Sequence, residues 1–326
     1  WNSFIVALFD EKLSEKLEWK YMPTFVPNKH LPVYNWLYYK EGYSRELVMY
    51  LLDHFAVAGG DTVLDPFCGS GTTLLACKEQ HVASIGFDVL PVAVFASRVK
   101  TRNYNKSVLK RAIDAVMKKK FKKTDKPFPA LMQRAFSKYG REDIAFFQDA
   151  LEAVEDAKTK DFLSLALANA AVKASMTMKD GAVIKIVKKH VPPLRYAFKR
   201  IAYRMLREAM ISGPEARVEA VDARELPLDN ESIDAVITSP PYLNNIDYTR
   251  AYALENFFVP STKGTFIGHK NERDDTRALP QSADAYFHDM QCVISELCRV
   301  MKPGGKASIV VGNAYYPGLV VESDRR

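Results

Sequence analysis

The fold is decided by the stretch Asp65-Pro-Phe-Cys-Gly-Ser-Gly-Thr-Thr73. The apolar run 62–64 precedes it, and the helix-forming run 74–78 follows it. The order strand, glycine-rich turn, helix lets the backbone approach a ligand closely and directs helix N–H groups towards it. Such a turn on its own indicates only a strand joined to a helix. A second motif, Ser239-Pro-Pro-Tyr242, ends another apolar run, and the two together predict a cofactor site and a chemical site at one sheet edge.

The composition excludes several classes of protein. Of the 326 residues, 48% are apolar and 26% are charged, as in soluble globular proteins. No uninterrupted apolar run approaches the roughly 20 residues of a membrane span, and the N-terminus has no signal-peptide pattern. Four cysteines without a C-x-x-C pair, and no clustered histidines, predict neither disulfides nor a metal site. We therefore expect a cytoplasmic protein without a membrane partner or a metal ion.

From residue 61 onward, strand patterns alternate with helix patterns. We expect strands at 62–65, 82–88, 216–222, 232–238 and 306–312, and helices between them at 71–80, 91–100 and 283–301. This alternation predicts an α/β fold with a doubly wound, mostly parallel sheet. A seven-stranded sheet needs two more strands, which we expect either beyond Arg326 or in part from the run 4–8. Because the chain begins at Trp1 and not at Met, we expect further residues before it.

The chain before the sheet is rich in aromatic residues and proline. Three prolines between 23 and 32 predict loop or extended structure there. Ser44 is expected to cap a helix that continues to about Phe55 and is ended by Gly59-Gly60.

Residues 101–213 interrupt the alternation with helical patterns at 106–123, 142–157, 160–177 and 192–211. Eleven Lys or Arg residues stand against two acids between 100 and 126, and nine stand against one between 179 and 207. This asymmetry suits a polyanion partner, although solvated helix faces produce the same pattern. We predict three segments. They are an aromatic segment with the first part of the sheet (1–100), a basic helical insertion (101–213) and the second part of the sheet (214–326).

Acidic residues end three of the predicted strands, 62–65, 82–88 and 216–222, where ligands of open parallel sheets bind. Asp88 ends the second strand about 20 residues beyond the glycine turn, a position from which a carboxylate can accept hydrogen bonds from ribose hydroxyls. Asp222 could receive an adenine amino group in the same way. Both positions also suit helix caps. The spacing favours a cofactor that contains a nucleoside.

The turn Ser239-Pro-Pro-Tyr242 is rigid because two prolines fix their φ angles and remove two N–H donors. Its serine hydroxyl and a backbone carbonyl can accept hydrogen bonds from an exocyclic amino group. Those bonds direct the weak lone pair of the amine towards an electrophilic methyl group. Tyr242 offers a face on which a planar base can stack.

With both motifs, the chain resembles the S-adenosylmethionine-dependent methyltransferases of exocyclic amino groups in nucleic acids, the N4-cytosine/N6-adenine DNA methylase family. The resemblance covers about 45–100 and 215–313 and implies a Rossmann-like class I methyltransferase fold. It implies catalytic roles for Ser239, Pro240, Pro241 and Tyr242. It also implies S-adenosylmethionine as cofactor, bound by Asp65, Phe67, Gly69, Gly71, Thr72, Asp88 and Asp222.

The same resemblance implies direct, in-line methyl transfer after the target base is flipped out of a duplex. Serine as the first residue of the tetrad, Ser239, favours cytosine N4 over adenine N6. No cysteine follows a proline, which argues against cytosine C5 chemistry. Tyr248 and Arg250 are candidates for a second stacking face and a phosphate contact, and ordinary loop packing is an equal alternative.

DNA is the leading substrate, and structured RNA such as ribosomal RNA is the first alternative. The insertion 101–213 could be a target-recognition segment or a general helical clamp. Further alternatives are N6-adenine methylation, methylation of a protein glutamine or a small molecule, and a binding module without activity. The oligomeric state is left open.

Overall fold

The computed structural model describes residues 19–180, 183–242, 248–260 and 283–312, together with the backbone of 314–316 and 319–321. The strands are β1 (Thr62–Asp65), β2 (Ala83–Asp88), β3 (Thr177–Asp180), β4 (Val183–Ile186), β5 (Arg217–Ala220), β6 (Ile233–Thr238), β7 (Met301–Ile309), β8 (Ala314–Tyr316) and β9 (Leu319–Val321).

Five of these strands form one parallel sheet in the order β5-β2-β1-β6-β7. The first strand, β1, lies in the centre, so the chain moves outward in one direction and then in the other. In this register Asp65 pairs with Gly86, and Asp88 pairs with Ala220. The ends of β1 and β2 therefore meet at one edge of the sheet. The predicted mostly parallel, doubly wound sheet is confirmed.

The α-helices are α1 (Arg45–His54), α2 (Thr72–Glu79), α3 (Pro91–Thr101), α4 (Lys106–Lys118), α5 (Ala130–Ala135), α6 (Lys138–Glu152), α7 (Ala157–Ala174), α8 (Leu194–Glu208), α9 (Tyr248–Ala251), α10 (Ala253–Asn256) and α11 (Ala283–Val300). Neighbouring residues of β1 explain how the sheet is covered on both sides, because strand side chains alternate between faces. Val63 packs in a cluster with residues of α1 and α2, whereas Leu64 packs in another with residues of α11.

Ser44 caps α1, as predicted, by accepting a hydrogen bond from the Leu47 amide, and the helix ends at His54 with Phe55 as its C-cap, which agrees with the predicted end at about Phe55. Other predicted limits are wrong for local reasons. The chain turns at Ala56, whose φ is 56°. The glycine pair at 59–60 therefore follows the turn and does not make it. Helix α6 begins at Lys138, four residues before the predicted start, because Ser137 accepts a hydrogen bond from the Gly140 amide.

The helical insertion also contains an antiparallel hairpin, β3–β4, that the sequence did not predict. The expected helix 160–177 ends instead at Ala174, and β3 begins at Thr177. At the far edge of the sheet, β7 begins at Met301 and not at 306, with an irregular register between Ile233 and Ala235. The short pair β8–β9 is antiparallel and separate from the five-stranded sheet.

The largest hydrophobic cluster joins the N-terminal segment, α3 and the helices of the insertion. Trp36 shows the joint clearly: its indole N–H donates to Glu208 Oε2 at 2.8 Å, and its ring meets the edge of Phe162 with centroids 5.3 Å apart. The insertion therefore packs against the N-terminal segment and against α3, which covers the sheet. That residues 101–213 form a separate segment of the chain stays a prediction.

Among the residues that the structure describes, no helix is both long and apolar enough to cross a membrane. The predicted strand at 4–8 and the residues 243–247 and 261–282 lie outside the described residues.

Candidate active site

The glycine turn after β1 has a backbone that requires glycine at two positions. Gly69 has a φ of 48°, and a Cβ there would lie 2.9 Å from Tyr39 Cε1. Gly71 has a φ of 79°, and a Cβ there would lie 2.8 Å from Ser97 Oγ. Left-handed backbone and close neighbours together exclude larger residues. The turn is thus shaped by direct contact with the N-terminal segment on one side and with α3 on the other.

Asp88 ties the end of β2 to the glycine turn. Its Oδ2 accepts a hydrogen bond from the Gly69 amide at 2.9 Å, and its Oδ1 accepts one from the Leu90 amide at 2.8 Å. Burial raises the pKa of this carboxyl, and these backbone amides oppose the rise. Each carboxylate oxygen has a second lone pair, so Asp88 can hold the turn and still accept a hydrogen bond from a ligand in the cavity that it lines.

Asp65, also predicted to bind the cofactor, lies behind the turn and is 1% exposed. Its carboxylate accepts hydrogen bonds from the hydroxyls of Tyr43 at 2.9 Å and Thr238 at 2.7 Å. Burial raises its pKa to about 6, against the opposing effect of these hydrogen bonds. Asp65 therefore joins β1, β6 and the N-terminal segment, and its side chain does not line the cavity. Gly71 is likewise absent from the lining.

One cavity of about 260 Å³ brings the glycine turn and the tetrad together. The predicted site residues that line it are Phe67, Gly69, Thr72, Asp88, Asp222, Ser239, Pro240, Pro241, Tyr242 and Tyr248. Arg250 is exposed on α9 and is not among the lining residues. The cavity lies at the carboxyl ends of the strands, the usual ligand position in an open parallel sheet.

The tetrad is held by neighbours on both sides. Thr238, the last residue of β6, is hydrogen-bonded to Asp65, and the Pro241 carbonyl accepts a hydrogen bond from the Tyr286 hydroxyl at 2.7 Å. Gly312 lies against the Tyr242 ring, since a Cβ at Gly312 would be 3.3 Å from Tyr242 Cε2. Burial raises the pKa of Tyr242, so its hydroxyl is neutral.

Asp222 is engaged by a neighbouring cation. Arg224 donates to both of its carboxylate oxygens, at 2.9 Å and 2.5 Å, and also pairs with Asp289 at 2.9 Å. Asp222 nevertheless lines the cavity. Arg224 fixes the orientation of the Asp222 carboxylate. A contact of Asp222 with an adenine amino group would have to form while this ion pair is kept.

Five residues of the N-terminal segment line the cavity, although the sequence identified none of them as site residues. They are Tyr39, Lys40, Glu41, Gly42 and Tyr43. Tyr39 presses on Gly69, and its ring stacks on Tyr252 with centroids 5.0 Å apart. The dense aromatic cluster at 34–43 was the available signal, but it did not indicate which ring faces the turn.

The buried side chain of Lys100 is hydrogen-bonded to the backbone of the glycine turn. It is 3% exposed, and its ammonium group donates to the carbonyls of Ser70 at 2.9 Å and Tyr34 at 3.0 Å. Burial lowers its pKa to about 7. The Ser70 hydroxyl oxygen is buried at the cavity wall and has no hydrogen-bond partner among the described residues. A buried polar atom without a partner costs free energy, so the turn offers a ligand one unused hydrogen-bonding group.

Comparisons with known proteins agree with this arrangement. The family model N6_N4_Mtase, described as DNA methylase, matches residues 11–97. Type II methyltransferase M.BsoBI of Geobacillus stearothermophilus is 26% identical, over 92% of this chain and 78% of that protein. Type II methyltransferase M.AvaI of Nostoc sp. is 24% identical over 96% and 80%. Type II methyltransferase M.MjaII of Methanocaldococcus jannaschii is 36% identical over 41% of this chain and 26% of that protein.

Proposed function

Because the chain belongs to the amino-methyltransferases of the N4-cytosine/N6-adenine DNA methylase family, we propose that it methylates the exocyclic N4 amino group of cytosine in DNA. The methyl donor in this proposal is S-adenosylmethionine. The observation that carries the proposal is one cavity lined by both Gly69 and Asp88 of the cofactor side and by Ser239 and Tyr242 of the tetrad.

The residues on the cofactor side fit S-adenosylmethionine. Asp88 can accept hydrogen bonds from ribose hydroxyls, and the Ser70 hydroxyl, which has no partner in the described part of the chain, lies in the same wall. Val89, Leu90 and Val221 give an apolar wall that suits a planar adenine ring. When bound, the cofactor supplies an electrophilic methyl group on a sulfonium.

The tetrad residues orient the amine that receives the methyl group. The Ser239 hydroxyl and the Pro240 carbonyl accept its hydrogen bonds, and the Pro241 carbonyl is already engaged by Tyr286. Tyr242 stacks on the base, with Gly312 packed behind the ring. Holding the amine in this way is catalysis by positioning and needs no covalent intermediate on the protein.

Ser239 is the reason for proposing cytosine N4. A serine hydroxyl is small and neutral, and it can act as acceptor towards the amine while it donates elsewhere. Adenine N6 is the alternative product on the same geometry. The family description names DNA, and for this reason we propose DNA before structured RNA.

The test uses unmethylated plasmid DNA and an RNA transcript of the same sequence, each incubated with the chain and tritiated S-adenosylmethionine. We expect label in the DNA only. Transfer to the RNA alone would refute DNA as the substrate, and transfer to neither would refute nucleic-acid methylation.

Two serines at the ends of β6 give a matched pair of variants. Ser239→Ala should abolish or strongly reduce transfer, since the amine loses an acceptor. Ser232→Ala, just before the strand, removes a hydroxyl that donates only to the Asp229 carbonyl and should leave transfer unchanged. Equal activity of the two variants would contradict the role of Ser239.

A further inference from the structure

The β3–β4 hairpin of the insertion lies against the residues that line the cavity. Lys179 in β3 places its ammonium group 3.8 Å from the centre of the Tyr252 ring. Tyr252 in turn stacks on Tyr39 and donates from its hydroxyl to Glu41 Oε2 at 2.6 Å. Both Tyr39 and Glu41 line the cavity.

Further contacts also place the hairpin beside the residues that line the cavity. Lys179 Nζ also lies 2.7 Å from Oε1 of Glu255 in α10, the helix that directly follows Tyr252. Ile184 in β4 packs on the cluster that contains Tyr252, and the partly buried ring of Tyr248, also a lining residue, packs on that cluster too.

The hairpin has an inner and an outer face, which its register defines. Met178 pairs with Lys185 and Asp180 pairs with Val183, so these four side chains share one face. Lys179 and Ile184 pair on the opposite face and make the contacts just described. Met178 is 50% exposed and Val183 56% exposed. Met178 and Val183 are therefore diagonal neighbours on the outer face, and each is paired across the strands with a charged residue. This combination of exposed apolar and charged side chains suits contact with a polar partner.

The charge on this ribbon fits a polyanion. Residues 177–190 include four lysines and one aspartate. Lys185 and Asp180 form an exposed ion pair on the outer face, a kind of pair worth little in water and easily exchanged for a phosphate. Ion pairs of the same kind occur in the basic run 118–126, where Lys123 pairs with Glu142 and Lys126 pairs with Asp149.

We propose that the outer face of the β3–β4 hairpin contacts duplex DNA beside the base held at Tyr242. Met178 and Val183 pack on the sugars and base edges next to the flipped base, and Lys185 and Lys188 bind the flanking phosphates. A two-stranded ribbon has the width that the major groove admits, and apolar side chains are used to occupy disrupted base steps. This inference rests on the proposed function and names the element that presents the duplex to its site.

The test compares the double variant Met178→Thr, Val183→Thr with the unaltered chain. Threonine keeps the strand preference and removes apolar contact area. With unmethylated plasmid DNA we expect KM for DNA to rise about fivefold or more, with kcat and the Kd of S-adenosylmethionine within about twofold. The matched control, Ile294→Thr, alters a side chain on α11 that is 41% exposed and should change none of these values.

A second variant tests the charges without touching the apolar pair. Lys185→Gln with Lys188→Gln should reduce the slope of log binding constant against log salt by about 2, or about 1 for each phosphate contact. An unchanged KM in the threonine variant, or an unchanged salt slope in this one, would overturn the role of the hairpin while leaving the methylation of DNA intact. Failure of the unaltered chain to methylate any DNA would overturn the proposed function and the hairpin's role with it.

Discussion

The ring of Tyr39 stacks on the ring of Tyr252, with centroids 5.0 Å apart and planes inclined by 19°. Tyr39 lines the cavity and contacts Gly69 of the glycine turn. Tyr252 lies ten residues after the tetrad in the sequence, and the ammonium group of Lys179 lies over its ring. Through these contacts, the Tyr39–Tyr252 pair connects four distant parts of the sequence: the N-terminal segment, the glycine turn, the hairpin and the helices after the tetrad.

Tyr252→Ala should weaken S-adenosylmethionine binding, because Tyr39 loses the ring that holds it against Gly69. An aromatic pair is worth about 0.5–1.5 kcal/mol, so we expect Kd to rise about twofold to tenfold in calorimetry. Tyr252→Phe keeps the stack and removes the two hydrogen bonds of the hydroxyl, one donated to Glu41 and one accepted from the Lys40 amide, and it should retain most of the affinity. If the phenylalanine variant lost as much affinity as the alanine variant, stacking would not be the cause.

Asp88→Ala should weaken cofactor binding by at least about tenfold, since the loss of a charged hydrogen-bond acceptor costs about 1.5–3 kcal/mol. The Gly69 amide also loses its partner, which loosens the turn. At saturating cofactor the KM for DNA should change little. Asp53→Asn, an exposed acid on α1, is the control and should leave Kd unchanged. A Kd for Asp88→Ala equal to that of the unaltered chain would contradict the role of Asp88.

Tyr242→Ala should have the opposite profile. The Kd of S-adenosylmethionine should remain unchanged, while the loss of base stacking, about 1–3 kcal/mol, should appear in steady-state kinetics with DNA. Tyr242→Phe preserves the ring and should restore most of the activity. If Tyr242→Ala lost only affinity for S-adenosylmethionine, the assignment of Tyr242 to the base and not to the cofactor would be wrong.

Lys100 predicts a pH dependence of stability. Its pKa is lowered by burial to about 7 in the folded chain, against about 10.4 when unfolded. Between these values the unfolded chain binds more protons, so this lysine's contribution to stability rises with pH. The free energy of unfolding of the unaltered chain minus that of Lys100→Met should therefore increase between pH 7 and 10, by on the order of 3 kcal/mol.

Urea denaturation at pH 7, 8.5 and 10 measures this difference. Lys120→Met, which alters an exposed lysine, should follow the profile of the unaltered chain. A difference between the unaltered chain and Lys100→Met that stays constant over this range would mean that Lys100 keeps its proton in the folded chain.

The sheet could be predicted because its signals are local. Each strand is a short apolar run, and the glycine turn and the tetrad are contiguous motifs at strand ends. The hairpin could not be predicted, because β3 and β4 are only four residues long and lie within a helical region. Their conformation depends on tertiary contacts such as the one between Lys179 and Tyr252.

Contacts between distant residues explain what else the sequence did not reveal. Tyr39 and Tyr252 are separated by more than 200 residues, and no spacing rule connects them. The excess of basic residues counted in 100–126 and 179–207 also overstates the unpaired positive charge. Arg102 pairs with Asp161 and Lys126 pairs with Asp149, and both acids lie outside those ranges. Asp65 matched a motif position, yet its carboxylate is used by Tyr43 and Thr238 inside the fold.

The central claim is that the amine held at Ser239 and Tyr242 is the N4 group of a cytosine in DNA. Plasmid DNA methylated by the chain with labelled S-adenosylmethionine can be digested to nucleosides and analysed by mass spectrometry. The account predicts that the label is found in N4-methyldeoxycytidine. Label in N6-methyldeoxyadenosine would contradict it.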